Sequence, residues 1–215
     1  MDFFTLEYGR LSAVARGARG SKKNPTLQPF MPFVISLAGA RELKTLKSCE
    51  VDQGPIYLLG DNLLIGMYVN ELLVRLLGRF DPMTQLFDSY KALVIQLSKR
   101  QELSEGLLRC FEFNLLADLG YGIVFDYEIL TGNAISEEKS YTYSLEEGLL
   151  PIPGEEMSSD RYAGKDLLAI GRSDFSMPSA RLTAKKIVRS ALKPLLGGRP
   201  LNSRELFTKS ENVNQ

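Results

Sequence analysis

The side chains best placed to do chemistry in this sequence are cations without acids beside them. Arg16, Arg19, Lys22 and Lys23 fall in one glycine-containing run, Arg16-Gly17-Ala18-Arg19-Gly20-Ser21-Lys22-Lys23-Asn24-Pro25, which holds no carboxylate. Such a run between strands can follow a phosphate backbone, and rings nearby can stack on bases. Tyr8, Phe30 and Phe33 are the available rings. Phe30 and Phe33 fit a hydrophobic core better, whereas Tyr8 precedes a turn at Gly9 and is better placed to be exposed. A second set lies in Ser179–Leu195, where Ala184, Ile187, Val188, Ala191 and Leu195 form an apolar stripe. Arg181, Lys185 and Arg189 follow at helical spacing on another side, with Lys186 and Lys193 beside them and no acid in the segment. A solvated face is the usual meaning of such a row, and an acid-free ridge is the stronger candidate for a binding surface. A third candidate is Arg109, on the helix that carries Leu108, Phe111 and Leu115. An arginine beside apolar side chains can take a peptide's terminal carboxylate bidentately. Glu105 at i−4 and Glu112 at i+3 offer local partners, and spacing alone favours them.

Other chemistries are excluded or unsupported. The chain has 215 residues and no histidine, so Ser-His-Asp and Cys-His pairs are impossible and imidazole metal ligation is absent. Cys49 and Cys110 stand far apart, which rules out a CxxC zinc site and fits a reducing cytoplasm. No glycine-rich phosphate loop of standard spacing occurs. Paired acids such as Asp118 with Asp126, or Glu137 with Glu138, are too common to point to a metal. The most apolar stretch, Leu63–Leu77, is interrupted by Asn70, Glu71 and Arg75 and reads as a buried helix rather than a membrane span. The zero net charge conceals an uneven layout. Residues 1–50 hold 8 Lys/Arg and 4 Asp/Glu, residues 51–180 hold 10 and 20, and residues 181–215 hold 8 and 2. Two basic ends flank an acidic middle, a layout suited to polyanion contact.

The elements that must position these cations are strands first and helices after. Leu11, Ala13 and Ala15 alternate with polar or small residues, as do Phe33, Ile35 and Leu37. Glu42–Val51 alternates with one slip, which suits a bulge. Short strands with Gly/Pro-rich connections predict a small barrel or sandwich. From Asp61 the period is helical. One helix is expected to run through Leu77 with Asn62 as its cap, a second from Pro82 to about Ser98, and a third from about Leu103 to Leu119, ended by Gly120. Tyr141-Thr142-Tyr143 and Leu149-Leu150 around Glu146-Glu147-Gly148 predict a hairpin, with its tyrosines exposed. Residues 154–160 read as a loop. Helices resume over Gly164–Ile170 and Ser179–Leu195, and Asn202 with Glu205 predicts a capping box for a short helix through Phe207. The fold class is therefore α+β, with residues 1–55 as a β domain and 56–215 as a helical domain carrying a hairpin at about 139–153.

Several stretches, in order, resemble the RecO family of bacterial recombination mediators, particularly its gammaproteobacterial branch. They are Tyr8-Gly9-Arg10-Leu11 with Val14-Ala15-Arg16-Gly17-Ala18-Arg19, Leu27-Gln28-Pro29-Phe30 and Glu42-Leu43-Lys44-Thr45-Leu46. Tyr68-Val69-Asn70-Glu71-Leu72-Leu73 and Leu119-Gly120-Tyr121-Gly122 follow. Ala191-Leu192-Lys193-Pro194, Leu196-Gly197-Gly198, Pro200-Leu201 and Ser203-Arg204-Glu205-Leu206-Phe207 complete the set. The resemblance implies an N-terminal OB barrel and a helical C-terminal domain. It implies binding of single-stranded DNA, and of double-stranded DNA as a further ligand, annealing of complementary strands, and help in loading RecA onto strands coated by the single-stranded DNA-binding protein SSB. Implied partners are RecR and the acidic, apolar C-terminal tail of SSB, with Arg109 and Leu108 at the position that holds the tail's end. Arg16, Arg19, Lys22, Lys23, Lys44, Arg181, Lys185 and Arg189 are the DNA-contact candidates. No catalysis and no cofactor are expected, and the location is the cytoplasm, at the nucleoid. Many members carry a zinc site after Leu-Gly-Tyr-Gly; here Glu128 and Thr131 replace its first cysteine pair, so no zinc is expected. Met1–Thr5 resembles the middle of the family's second strand, leaving the first strand of the barrel unaccounted for. Two readings compete with the mediator: an RNA- or DNA-binding OB module without a mediator role, and an accessory protein of a metal-dependent nuclease.

Overall fold

The computed structural model describes residues 1–15, 27–54, 56–99, 105–153 and 160–203. Contact clustering divides the chain into two compact units, Met1–Leu103 with Pro200–Gln215, and Ser104–Arg199. The described residues form five helices and two sheets, a mixed α/β protein.

The first unit is built on strands β1 (Asp2–Thr5), β2 (Gly9–Val14), β3 (Phe33–Ala38) and β4 (Leu43–Val51). Their order is β1-β2-β4-β3, with β2 and β4 parallel and the other pairs antiparallel, so among the described residues β1 and β3 are the edge strands. The alternation that predicts β2 and β3 has its cause here: Leu11 and Ala13 face the core at 1% and 0% exposure. The slip predicted in the third run is also present. Ser36 lies opposite Ser48 but Leu37 lies opposite Leu46, which leaves Lys47 as the extra residue of a bulge in β4.

Helices α1 (Gly60–Leu76) and α2 (Thr84–Lys99) belong to this same unit. The 55/56 division drawn from the sequence marks the change from strands to helices, and these two helices cluster with the strands in space. They join the sheet's unit because the connection after α1 is tied to β2. Arg10 Nε donates to the Leu77 carbonyl at 3.0 Å, and the Phe80 N–H donates to the Arg10 carbonyl at 2.9 Å. Gly9, at φ 61°, approaches so closely that a Cβ there would lie 1.9 Å from the Asp81 carbonyl oxygen. Only glycine fits on both counts. Asn62, expected to cap α1, lies inside it: its Nδ2 donates to the Leu97 carbonyl of α2 at 3.1 Å, so its amide serves tertiary packing. Pro82 precedes α2 rather than occupying its first turn. Residues 200–203 return to this unit, where the Glu71 carboxylate of α1 accepts from the Asn202 N–H at 2.9 Å, the Ser203 N–H at 2.8 Å and the Ser203 hydroxyl at 2.7 Å. Glu71 thus supplies from another element the acceptor that a capping side chain would give. Glu205, assigned that role from sequence, lies outside the described residues.

The second unit holds α3 (Glu105–Asp118), β5 (Ser140–Ser144), β6 (Gly148–Pro151), β7 (Tyr162–Ala163), α4 (Gly164–Gly171) and α5 (Pro178–Leu195). Gly120, at φ 85°, ends α3 with the Tyr121 N–H returning to the Leu116 carbonyl at 2.7 Å, as expected of a C-cap. The predicted hairpin is β5–β6, with Tyr143 opposite Leu149, and β7 adds a third strand to it. Tyr141 and Tyr143 are buried at 0% and 8% rather than exposed, because both face the unit's core with Leu149, Leu167 and Ile187. Between α4 and α5 the buried Asp166 accepts from Ser179 Oγ at 2.7 Å and from Thr183 Oγ1 at 3.4 Å.

Candidate nucleic-acid interface

Helix α5 carries the most available positive charge among the described residues. Pro178 starts it, and the apolar stripe read from sequence is its buried face: Ala184, Ile187, Val188 and Ala191 are all fully enclosed. Fixing that stripe inward turns Lys186, Arg189 and Lys193 outward, with Lys185 half-exposed. None of these four makes an ion pair with a described residue, and α5 contains no carboxylate. Leu182, 55% exposed, lies on the same outer side. Arg181 is different. It donates to the carbonyls of Phe175 at 2.7 Å and Ser176 at 2.9 Å, and its Nε lies 3.7 Å from Glu105. It therefore fastens the connection between α4 and α5 and contributes less to the ridge than Lys185 and Arg189.

In the first unit the candidates are differently disposed. Arg16, Arg19, Lys22 and Lys23 lie outside the described residues. The Lys44 ammonium donates to the Gly39 carbonyl at 2.9 Å and stands 5.1 Å from the centre of the Phe80 ring, so one of its three donors and part of its charge are engaged within the unit. Tyr8 is exposed at 59%, as expected, while Phe30 and Phe33 are half-buried. Sequence reading missed Lys47, which the bulge leaves exposed, although the slip in alternation marks its place. It also missed Arg79, 44% exposed and 3.2 Å from the Glu42 carboxylate.

Arg109 and Leu108 sit on the inner side of α3, at 7% and 6% exposure. The Arg109 guanidinium lies 2.7 Å from the Glu112 carboxylate, the i+3 partner that spacing favours. Glu105, the other local partner, faces Arg181 instead. The residues at the family's zinc position do not suit zinc. Thr131 donates its hydroxyl to the Glu128 carboxylate within a tight turn closed by Gly132 N–H to Glu128 carbonyl and Glu128 N–H to Asn133 carbonyl, both 2.8 Å. No thiolate is present there, and among the described residues no group of three or more Cys, Asp or Glu is placed to hold a metal. Cys49 and Cys110 are both free, and burial pushes each thiol up. No helix of the described residues is long and apolar enough to cross a membrane.

Comparison with known proteins covers both halves of the chain. The family model described as Recombination protein O N terminal matches residues 1–54, and that described as Recombination protein O C terminal matches residues 60–205. This is a DNA repair and recombination protein, and both of the family's parts are present. The DNA repair protein RecO of Pseudomonas paraeruginosa is 43% identical over 96% of this chain and 86% of its own length. That of Cellvibrio japonicus is 41% identical over 97% of this chain and 89% of its own, and that of Actinobacillus pleuropneumoniae serotype 7 is 38% identical over 96% and 86%. The chain belongs to the RecO family.

Proposed function

We propose that this protein binds single-stranded DNA without covalent chemistry, anneals complementary strands, and helps load RecA onto strands coated by SSB. The observation that carries the reading is the acid-free ridge of α5, where Lys185, Lys186, Arg189 and Lys193 meet no described carboxylate. Free cations gain by displacing the counterions condensed on a phosphate backbone, whereas paired ones must first break a contact. The N-terminal sheet supports an OB-type barrel, because its one parallel pair, β2 with β4, joins strands whose other pairings are all antiparallel. Double-stranded DNA is a further ligand of the same ridge, and the cytoplasmic nucleoid follows as the place of action.

The partners in this reading are RecR and the C-terminal tail of SSB. For the tail, Arg109 would use the guanidinium donors that Glu112 leaves over, five N–H groups being more than one carboxylate engages. Leu108 adds apolar surface beside it.

Replacing Lys185, Lys186 and Arg189 together by Ala tests the ridge. Affinity for an oligothymidylate should fall, and the slope of log affinity against log salt should flatten by about 2, at roughly 0.7 per phosphate lost. The melting temperature should stay within a degree or two, since surface changes usually shift stability by under about 0.5 kcal/mol. An unchanged salt slope would remove α5 from the interface.

A further inference from the structure

Three described residues other than glycine adopt a positive φ: Phe30 at 64°, Phe80 at 56° and Ser173 at 56°. L-residues are strained there, so each needs a compensating reason. Ser173 follows α4 and returns its N–H to the Ile170 carbonyl at 2.8 Å, the ordinary work of a left-handed residue closing a helix. Phe30 places its ring against Gly66 of α1, so close that an added Cβ would lie 2.7 Å from the ring. Its strain is compensated by packing. Phe80 likewise has a backbone account, its N–H donating to the Arg10 carbonyl at 2.9 Å, and it differs from Phe30 in its exposure. Its ring remains 36% exposed, and the group that stands over it is the Lys44 ammonium.

The surroundings hold this ring still. Phe80 N–H donates to Arg10, Arg10 donates to Leu77, and Gly9 touches Asp81, so the connection between α1 and α2 is fixed to the start of β2 at three successive points. Tyr8, 59% exposed, directly precedes Gly9, so its backbone is one residue from the contact with Asp81. Tyr8 is itself steadied by its N–H, which donates to Thr5 Oγ1 at 3.2 Å. Arg79, beside Phe80, pairs among the described residues with Glu42, a carboxylate 76% exposed, and such surface pairs exchange readily. Two exposed rings on a rigid support, with an exchangeable cation next to them, match what an unstacked base and its phosphate require.

We propose that Phe80, with Tyr8 beside it, is a stacking site for unpaired DNA bases and that Arg79 receives the adjoining phosphate. Lys44 covers one face of the Phe80 ring, so a base uses what remains open. The proposal rests on the nucleic-acid reading above and extends it from phosphate contact on α5 to base contact in the first unit.

Phe80→Gly separates the roles, because glycine relaxes the left-handed backbone while removing the ring. The variant should melt within a few degrees of wild type, relief of the left-handed backbone offsetting part of the lost packing, and bind oligothymidylate about five- to one-hundred-fold more weakly, as loss of a base–aromatic stack predicts. Its salt slope and its affinity for an abasic strand of equal length should match wild type, and Phe80→Tyr should restore binding to oligothymidylate. Equal affinity of Phe80→Gly and wild type for oligothymidylate would overturn the stacking site. So would a melting temperature lower by more than a few degrees with equal losses on base-bearing and abasic strands, which would make the ring structural. Failure of the wild type to bind either strand would instead overturn the nucleic-acid reading itself.

Discussion

Helices α3 and α5 belong to the same unit and both carry arginine, yet they dispose of its charge in opposite ways. On α3, Arg109 has a carboxylate three residues on, and the two are buried together at 9% and 0% side-chain exposure. On α5, Arg189 has no carboxylate anywhere on its helix and stands in solvent. A neighbouring acid makes burial of a guanidinium tolerable, because an uncompensated buried charge is among the costliest things a fold can hold. Without that acid the cation has to stay outside, where it remains available to a ligand. The number of cations in a segment therefore says little about how many stand free in solvent; the nearest carboxylate decides.

The largest effect should come from breaking the buried side of this contrast. Glu112→Ala leaves Arg109 enclosed without its partner and should cost about 3–5 kcal/mol in urea denaturation. The pair replacement Arg109→Met with Glu112→Leu should recover most of that loss, since apolar residues of similar volume often match a buried ion pair. A loss below about 1 kcal/mol for Glu112→Ala would mean that the pair behaves as an exposed one. The contrast is sharpened by moving a carboxylate onto α5. Lys186→Glu places an acid at i−3 from Arg189 and should lower affinity for oligothymidylate by roughly tenfold at low salt, more than Lys186→Ala does. Equal effects of the two substitutions would show that pairing with Arg189 does not form.

Glu71 gives a third use of a carboxylate and the smallest effect. Burial alone would raise its pKa. The hydrogen bonds from Ser203, through side chain and backbone, and from Asn202, with the charge of Arg75, outweigh that and hold it below the ordinary glutamate range. A lowered value means that the contact stabilises the fold above the unfolded-state pKa and is lost as pH falls through the folded one. Glu71→Gln should therefore cost about 1 kcal/mol near neutral pH, typical of a lost capping interaction. The gap to wild type in urea denaturation should narrow below about pH 4.3, where free glutamate itself protonates. A gap that stays constant down to pH 3 would mean that the charge of Glu71 is not what holds residues 202 and 203.

Much of this arrangement was legible in the residues. Period-two alternation located β2 and β3, the slip in Glu42–Val51 marked a bulge, and the apolar stripe of α5 located its exposed cations by difference. The spacing of Arg109 and Glu112 predicted their pairing. What spacing could not give was depth: α3 packs against α5, whose residues lie more than sixty positions further along the chain. The same limit explains Asn62, which reads as a cap because its amide partner, the Leu97 carbonyl, is contributed by a different helix. It explains Arg181, counted with the ridge until Phe175, Ser176 and Glu105 claimed it. Strand β7 has only two residues, Tyr162 and Ala163, too few to show any period. Phe80 looked unremarkable because backbone strain leaves no mark in sequence when the residue is not glycine.

The clasp between Glu71 and Ser203 joins positions 132 residues apart, and that separation has a meaning for how the molecule is made. The first unit is interrupted: its chain leaves at residue 103 and returns at residue 200. During synthesis, at about 5–20 residues per second, the helix bearing Glu71 emerges several seconds before the segment it must hold. The second unit, Ser104–Arg199, is completed just before that segment, while the first waits with a buried position, that of Leu201, still unfilled. Closing so long a loop is among the slow steps available to a chain of this size. The residue completed last thus decides when the unit begun first becomes whole.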